Sequence, residues 1–426
     1  MIAEPKRLMN RNFLLLWQGQ VVSQIGTQLF LVIVILALKQ ATESPTLVGL
    51  FMMAYTIPAV LLGPLGGAMV DRYSRRAVLV TGDFLRGISL ISIASVLWLS
   101  PHLVGVIVVS FFVYSVVEGT VGAVWLPASM SVVPDLVPAK NLTSANSFLQ
   151  GSFQICTVVA QACAGILFRI LGTPLLTLID GFTYIYAAAS DFLVHIPKLP
   201  PRPVVAGGRF SAFKAEIMEG LRHIHARAGM RILFYTMAFF QVLMVPMLIL
   251  FPFYVDRCLH AGPQWYGLLL AASGLGTVVG YGLGGAVKLR PTLSSWITVS
   301  AMVLMSLSLA LLALVTNRWT AMWIIGGIGA MDGFIGVKLL TALQLATPTE
   351  VRGRVFGVLM TITRGLVPLA MGLTGFVAEV TNRNIPLIYL VCGGACAVLA
   401  VNIAARLECR DFLAGKDAPM PLKVAA

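Results

Sequence analysis

Gly67-Ala68-Met69-Val70-Asp71-Arg72-Tyr73-Ser74-Arg75-Arg76 sets four charged side chains directly behind a long apolar run. A charged stretch this short, entered from a run of that length, reads as a turn between two membrane helices. A second copy of its lead-in, Leu283-Gly284-Gly285-Ala286, closes a similar run in the other half of the chain, so the chain reads as a duplicated membrane protein. Composition points the same way. Of 426 residues, 58% are hydrophobic and 11% charged, and the mean hydropathy is +0.89, which leaves too little polar surface to clothe a soluble globule.

Crossing a hydrocarbon core of roughly 30 Å takes about 20 apolar residues. Such runs fall near residues 13–38, 46–70, 77–99, 103–126, 144–170, 173–196, 230–254, 262–287, 292–315, 319–346, 353–379 and 385–408. The expectation is an all-α membrane protein of twelve transmembrane helices. The boundaries divide it into an N-terminal six-helix bundle (1–196), a linker (197–229), a C-terminal six-helix bundle (230–410) and a tail (411–426).

A net charge of +13 in a soluble protein would suggest a nucleic-acid partner. Here the positions of the basic residues give it another meaning. With the N-terminus inside, 22 of the 30 Lys and Arg fall in inner segments and 5 in outer ones, while Arg86, Lys338 and Arg364 stand within spans. The positive-inside rule then puts both termini in the cytoplasm of a multi-pass membrane protein, and the charge implies topology rather than nucleic acid. The first apolar run is longer than the core of a cleavable signal, and no small-residue cleavage site precedes the next polar break.

The six cysteines make no framework, since Cys156 and Cys163 share one helix and Cys392 and Cys396 another, where disulfide geometry is not met. They read as buried thiols. Within the linker, Phe210, Phe213, Ile217, Leu221 and Ile224 recur at helical spacing among Lys214, Glu216, Glu219, Arg222 and Arg227, the pattern of an amphipathic helix on a membrane surface. His223 and His225 are too few for a metal site, and no other metal or cofactor cluster is expected.

The halves are related by an internal repeat. Gly49, Leu50 and Leu65 to Ala68 match Gly267, Leu268 and Leu283 to Ala286 at one separation, 218 residues (267 minus 49, and 283 minus 65), and Arg72 and Arg290 keep it. Glu118-Gly119-Thr120-Val121-Gly122 lies over Asp332-Gly333-Phe334-Ile335-Gly336, and Pro134 over Pro348, at 214 residues (332 minus 118, and 348 minus 134). Parallel repeats of this kind occur in transporters.

The Gly67 to Arg76 turn resembles the signature between the second and third helices of the major facilitator superfamily, and the likeness runs over nearly the whole chain. Asn12-Phe13, Leu16-Trp17, Pro127-Ala128, Val133-Pro134-Asp135-Leu136-Val137-Pro138 and Val351-Arg352-Gly353-Arg354-Val355-Phe356-Gly357 are similar to the branch holding macrolide-efflux proteins and the enterobactin exporter. The chain departs from that branch where Gly26 is followed by Thr27 instead of an acidic residue, and where Ala160, Gln161 and Gly165 replace a Gly-Pro pair. The resemblance implies two pseudo-symmetric six-helix bundles, transport by alternating access, a monomer, and a central cavity lined by spans one, four, seven and ten.

Ionisable groups within a membrane are functional candidates by default, since each costs at least about 2.5–3.5 kcal/mol to insert. Glu118 and Asp332 occupy equivalent positions of the repeats near mid-span, where a carboxyl can accept and release a proton. The competing reading makes them structural, neutralised by Lys338, Arg364 or a helix-end amide. Gln20, Ser23, Gln24 and Thr27 lie on one face of the first helix and suit either a wet cavity wall or interhelical hydrogen bonding; Gln241 is of the same kind. The resemblance makes Gly67, Asp71, Arg72, Arg75 and Arg76, with Asp135 as a partner, a cytoplasmic latch. Asp83 and Arg86, three residues apart, are expected to support it. Asp180, Asp191 and Glu379, near span ends, read as interfacial. Leu289 stands where the repeat would put a second Asp71, so the latch is asymmetric.

Three functional readings follow. The first is proton-coupled efflux of a hydrophobic or amphipathic small molecule, with the proton entering through Glu118. The second is a lysolipid or lipid flippase or an uptake carrier, with Lys338 and Arg364 meeting an anionic group. The third, from another class, is a membrane enzyme or scaffold, which the absence of clustered catalytic residues and of a phosphate loop argues against.

Overall fold

A computed structural model describes residues 9–72, 74–138, 141–195, 218, 221–222, 224–286, 290–347 and 349–415, with the side chains at 64–72, 143, 147, 286, 344, 349–354 and 356–364 left aside. All regular structure among these residues is helical. In chain order the helices are α1 (Arg11–Thr42), α2 (Pro45–Arg72), α3 (Arg75–Leu99), α4 (Val104–Leu136), α5 (Leu142–Leu193), α6 (Ala228–Ile249), α7 (Phe251–Arg257), α8 (Pro263–Ala286), α9 (Pro291–Leu312), α10 (Arg318–Ala346), α11 (Thr349–Val380), α12 (Ile385–Ala405) and α13 (Leu407–Leu413).

Among the described residues, ten helical stretches are long and apolar enough to cross a membrane. One, Ser144–Leu193, has 50 residues and would reach about 75 Å if straight, more than twice the hydrocarbon core. It is two crossings folded at Gly172, whose φ of 70° and ψ of 169° belong to a region that only glycine occupies readily. Pro174 opens the second arm. With that division, and with the apolar Gly365–Val380 stretch of α11, the crossings number twelve, as hydropathy predicts.

Side-chain caps set several helix starts. Asn10 accepts the Phe13 N–H at 3.0 Å, Asn317 the Trp319 N–H at 2.8 Å and Asn384 the Leu387 N–H at 3.1 Å, each satisfying a donor that the helix leaves unpaired. The fourth helix outruns the expected 103–126 and passes through Pro127 and Pro134 to Leu136. Membrane helices tolerate proline because neighbouring groups satisfy the freed backbone, so the end of the apolar run is not the end of the helix.

The chain forms two compact units, residues 1–204 with 261–271, and 205–260 with 272–426. In the first, α1 and α3 pack along α5, and α2 and α3 pack along α4. Phe13 and Leu16 of α1 are sealed against Leu79 of α3, Val132 and Leu136 of α4, Ala145 of α5 and Val194. In the second, α9 packs on α10 and α12, while α6 packs on α11 and α12. The short α13 lies against α6 and α9 with Cys409 and Phe412 buried, so residues 411–413, expected to begin a tail, are part of the packed unit. The linker at 197–217 lies outside the described residues, as does His223. His225 hydrogen-bonds Tyr235 at 3.0 Å. All six cysteines are free, with Cys156, Cys396 and Cys409 buried and Cys163 exposed.

Candidate functional site

The first unit holds a buried set of charges drawn from two helices, α3 and α4. Arg86 of α3 lies with Nε 2.9 Å from Glu118 Oε2 of α4 and Nη1 3.4 Å from Asp83 Oδ1. The Tyr114 hydroxyl, one turn before Glu118, donates to Oε2 at 3.2 Å. The guanidinium also stands 5.2 Å from the Trp125 ring centre and 5.4 Å from that of Tyr184, within cation–π range. The i,i+3 pair of Asp83 and Arg86 is therefore present, yet it extends to Glu118 on the neighbouring helix.

Asp180 and Asp191, expected at hydrated span ends, are 1% and 2% exposed. Distance along a helix sets neither value; the packing of α1 and α3 against α5 does. The polar face of α1 also reaches neighbouring helices. Gln20 Nε2 donates to Ser129 Oγ of α4 at 2.7 Å, and Thr27 Oγ1 lies 2.8 Å from the Tyr184 hydroxyl of α5. Gln24 between them is partly exposed.

Of the residues expected in the latch, Gly67, Asp71 and Arg72 have side chains outside the described set. Arg75 pairs with the Asp135 carboxylate and donates to the Ser131 carbonyl at 2.9 Å. Arg76 donates to the Phe192 carbonyl, with its guanidinium 4.6 Å from that ring's centre.

The second unit encloses a cavity of about 640 Å³. Its wall is methionine-rich: Met230, Met237, Met244 and Met247 come from α6, and Met302 and Met305 from α9, joined by Phe234, Phe240 and Ile328. Met237 and Met244 sit at intervals of seven residues from Met230, which keeps them on one helix face. The polar groups are few, namely Gln241, Ser273, Tyr281 and Asp332. Among the described residues no ion pair or hydrogen bond engages the Asp332 carboxylate. Lys338, six residues on, stands 5.5 Å from the Phe334 ring centre. The Arg364 side chain lies outside the described set. Equivalent positions of the repeat thus carry different environments: Glu118 is ion-paired and buried, and Asp332 faces an apolar cavity.

Sequence reasoning set Asp180 aside, although a signal for it exists. Glu118-Gly119, Asp180-Gly181 and Asp332-Gly333 are all acid–glycine pairs. In each the glycine meets another helix's backbone. A Cβ on Gly119 would sit 2.5 Å from the Tyr55 carbonyl oxygen, one on Gly181 would sit 3.1 Å from that of Gly87, and one on Gly333 would sit 2.3 Å from that of Thr277. Such contacts fix the depth and rotation of the helix, and with them the position of the acid beside the glycine.

Known proteins resemble the chain over most of its length. The family described as transmembrane secretion effector matches residues 5–420. A macrolide efflux protein A of Streptococcus pyogenes is 24% identical over 87% of this chain and 90% of its own length. An enterobactin exporter of Escherichia coli O1:K1 / APEC is 26% identical over 79% of this chain and 78% of its own. A bacterial homolog of the human lysosomal transporter Spinster, solved inward-facing and unoccupied, superposes with a TM-score of 0.66 at 17% identity, covering 98% of this chain and 99% of its own.

Proposed function

This chain belongs to the transmembrane secretion effector family, within the major facilitator superfamily of transporters, and on that premise we propose that it exports a hydrophobic or amphipathic small molecule by alternating access, driven by proton entry. It is a multi-pass membrane transporter and not an enzyme. The observation that carries the substrate class is the methionine-walled cavity of the second unit. Methionine is unbranched, flexible and polarisable, so a wall of such side chains re-packs around apolar bodies of different shape. At about 640 Å³ the cavity falls in the range of small-molecule sites. The relatives named for macrolide and enterobactin export support bulky cargo and an outward direction.

In this reading both termini are cytoplasmic, the working unit is a monomer, and exposed apolar residues such as Leu99, Val109 and Trp323 face membrane lipids. The turn from Gly67 to Arg76, with Asp135, serves as the cytoplasmic latch. Gln20, Gln24, Thr27, Gln241, Asp332, Lys338 and Arg364 serve the substrate and proton path.

The test is efflux of a lipophilic dye from vesicles carrying the full chain, with the pH gradient imposed, collapsed or reversed. Efflux should follow the gradient and should be competed by macrolides. Transport of neither dye nor macrolide under any gradient, with lysolipid moved instead, would replace this reading with the flippase.

A further inference from the structure

Asp180 lies on the second arm of α5, and the residue that makes room for it is Gly26 of α1. A Cβ on Gly26 would stand 2.0 Å from Asp180 Oδ1 and 2.5 Å from Thr183 Oγ1, so the space a side chain of α1 would occupy holds a carboxyl group instead. The Oδ2 atom is fully buried and has no hydrogen-bond partner among the described residues.

Among the described residues the polar contact of Oδ1 is to Thr183, and it has two workable forms. Thr183 Oγ1 lies 2.8 Å from the Asp180 backbone carbonyl and 3.1 Å from Oδ1. A hydroxyl has one hydrogen and two lone pairs. Turned to Oδ1 it donates to a carboxylate. Turned to the carbonyl it offers a lone pair to a carboxylic acid. Rotation of one hydroxyl therefore serves Asp180 with or without a proton.

The surrounding charges leave Asp180 without a cation of its own. Arg86 on α3 is the cation within reach, and it is engaged by Glu118 and Asp83. The other groups that face Asp180 electrostatically are Glu118 and Tyr114 of α4, Tyr55 of α2, and Tyr184 of its own helix, while α1 contributes Gly26. None supplies a second positive charge, and a buried carboxylate without one is costly. We propose that Asp180 is the carboxyl that binds and releases the coupling proton, cradled by Gly26 and Thr183, while Arg86 holds Glu118 out of the exchange. The step forms and breaks one O–H bond, with water as the proton's source and sink. The proposal rests on the proton-coupled export reading above.

The experiment takes the purified full chain and follows, by infrared difference spectroscopy from acid to alkaline pH, the C=O stretch of a protonated carboxyl. The band is expected at equal strength in the wild type and in Glu118→Gln, and is expected to lose one carboxyl's share in Asp180→Asn, with Asp191 and Asp332 supplying the remainder; a band undiminished in Asp180→Asn overturns the assignment. Gly26→Ala keeps the carboxyl but crowds it, so the band's titration midpoint must move, and an unmoved midpoint also overturns the cradle even if Asp180→Asn does not fold. In proteoliposomes, gradient-driven efflux should be lost in Asp180→Asn. A wild type driven by the gradient whose Asp180→Asn form is still driven by it overturns the proposal. A wild type that ignores the gradient while the band still depends on Asp180 overturns coupled export and leaves the proton site standing.

Discussion

Arg86 Nε lies 2.9 Å from Glu118 Oε2, a contact between two buried side chains on consecutive helices, and the same guanidinium also serves Asp83. Removing one member of a buried pair leaves an uncompensated charge, at a cost of about 3–5 kcal/mol. Arg86→Leu should incur all of it, because two carboxylates lose their cation at once. Glu118→Gln should cost less, since Asp83 still meets Arg86 and Tyr114 can still bond position 118. Melting temperatures in detergent should rank wild type above Glu118→Gln and Glu118→Gln above Arg86→Leu. The reverse ranking would show that the pair is not the dominant contact of Arg86.

Gly119 and Gly63 offer a matched comparison. An added Cβ at Gly119 meets the Tyr55 carbonyl oxygen, whereas at Gly63 it meets nothing within 4 Å. Backbone cannot swing aside as a side chain does, so Gly119→Ala should destabilise by about 1–3 kcal/mol. Gly63→Ala should be neutral or stabilising by roughly 0.5–1 kcal/mol. Thermal unfolding of the two variants in one detergent checks both signs.

Asp332 is the acidic group in the wall of the methionine cavity. A charge-assisted contact is worth about 1.5–3 kcal/mol, so Asp332→Asn should weaken binding of a lipophilic cation by roughly 10- to 100-fold. A neutral amphiphile of the same size should bind almost unchanged. Fluorescence titration of both ligands on purified protein makes the comparison, and equal losses for the two would assign Asp332 a structural role.

The cavity wall is also open to oxidation. Converting methionine to its sulfoxide replaces an apolar thioether with a polar group. Mild peroxide treatment should therefore weaken binding of an apolar dye in step with sulfoxide formation at Met237 and Met244, read by peptide mass spectrometry. Replacing both with Leu should retain binding and remove the sensitivity.

Hydropathy made the spans legible because crossing a membrane is a property of single segments: about 20 apolar residues either are present or are not. The break between the runs 144–170 and 173–196 was legible in the same way, and the bend at Gly172 falls in it. The charge cluster was legible only in part. Asp83 and Arg86 lie three apart on one helix, but the bond from Arg86 to Glu118 crosses from α3 to α4, and apolar patterning carries no record of which faces meet. Asp180 was misread on the same ground. Its burial comes from Gly26, more than 150 positions earlier, and position within its own span says nothing about that neighbour. Glu118 and Asp332 look alike in the repeat yet differ in their surroundings, because duplication copies positions and leaves the facing residues free to diverge.

The placement of Arg86 and Glu118 on successive helices also bears on how the protein is made. An arginine at mid-span is among the costliest residues for a nascent helix to carry into lipid. Asp83 on the same helix is its first partner, and Glu118 joins from the next helix after one short turn, Ser100 to Leu103, so α3 and α4 can leave the insertion machinery as a hairpin whose arginine is already paired. Asp180 is synthesised later and enters a bundle in which the arginine is already engaged. In the order of synthesis, Asp83 and Glu118 therefore meet the cation before Asp180 does.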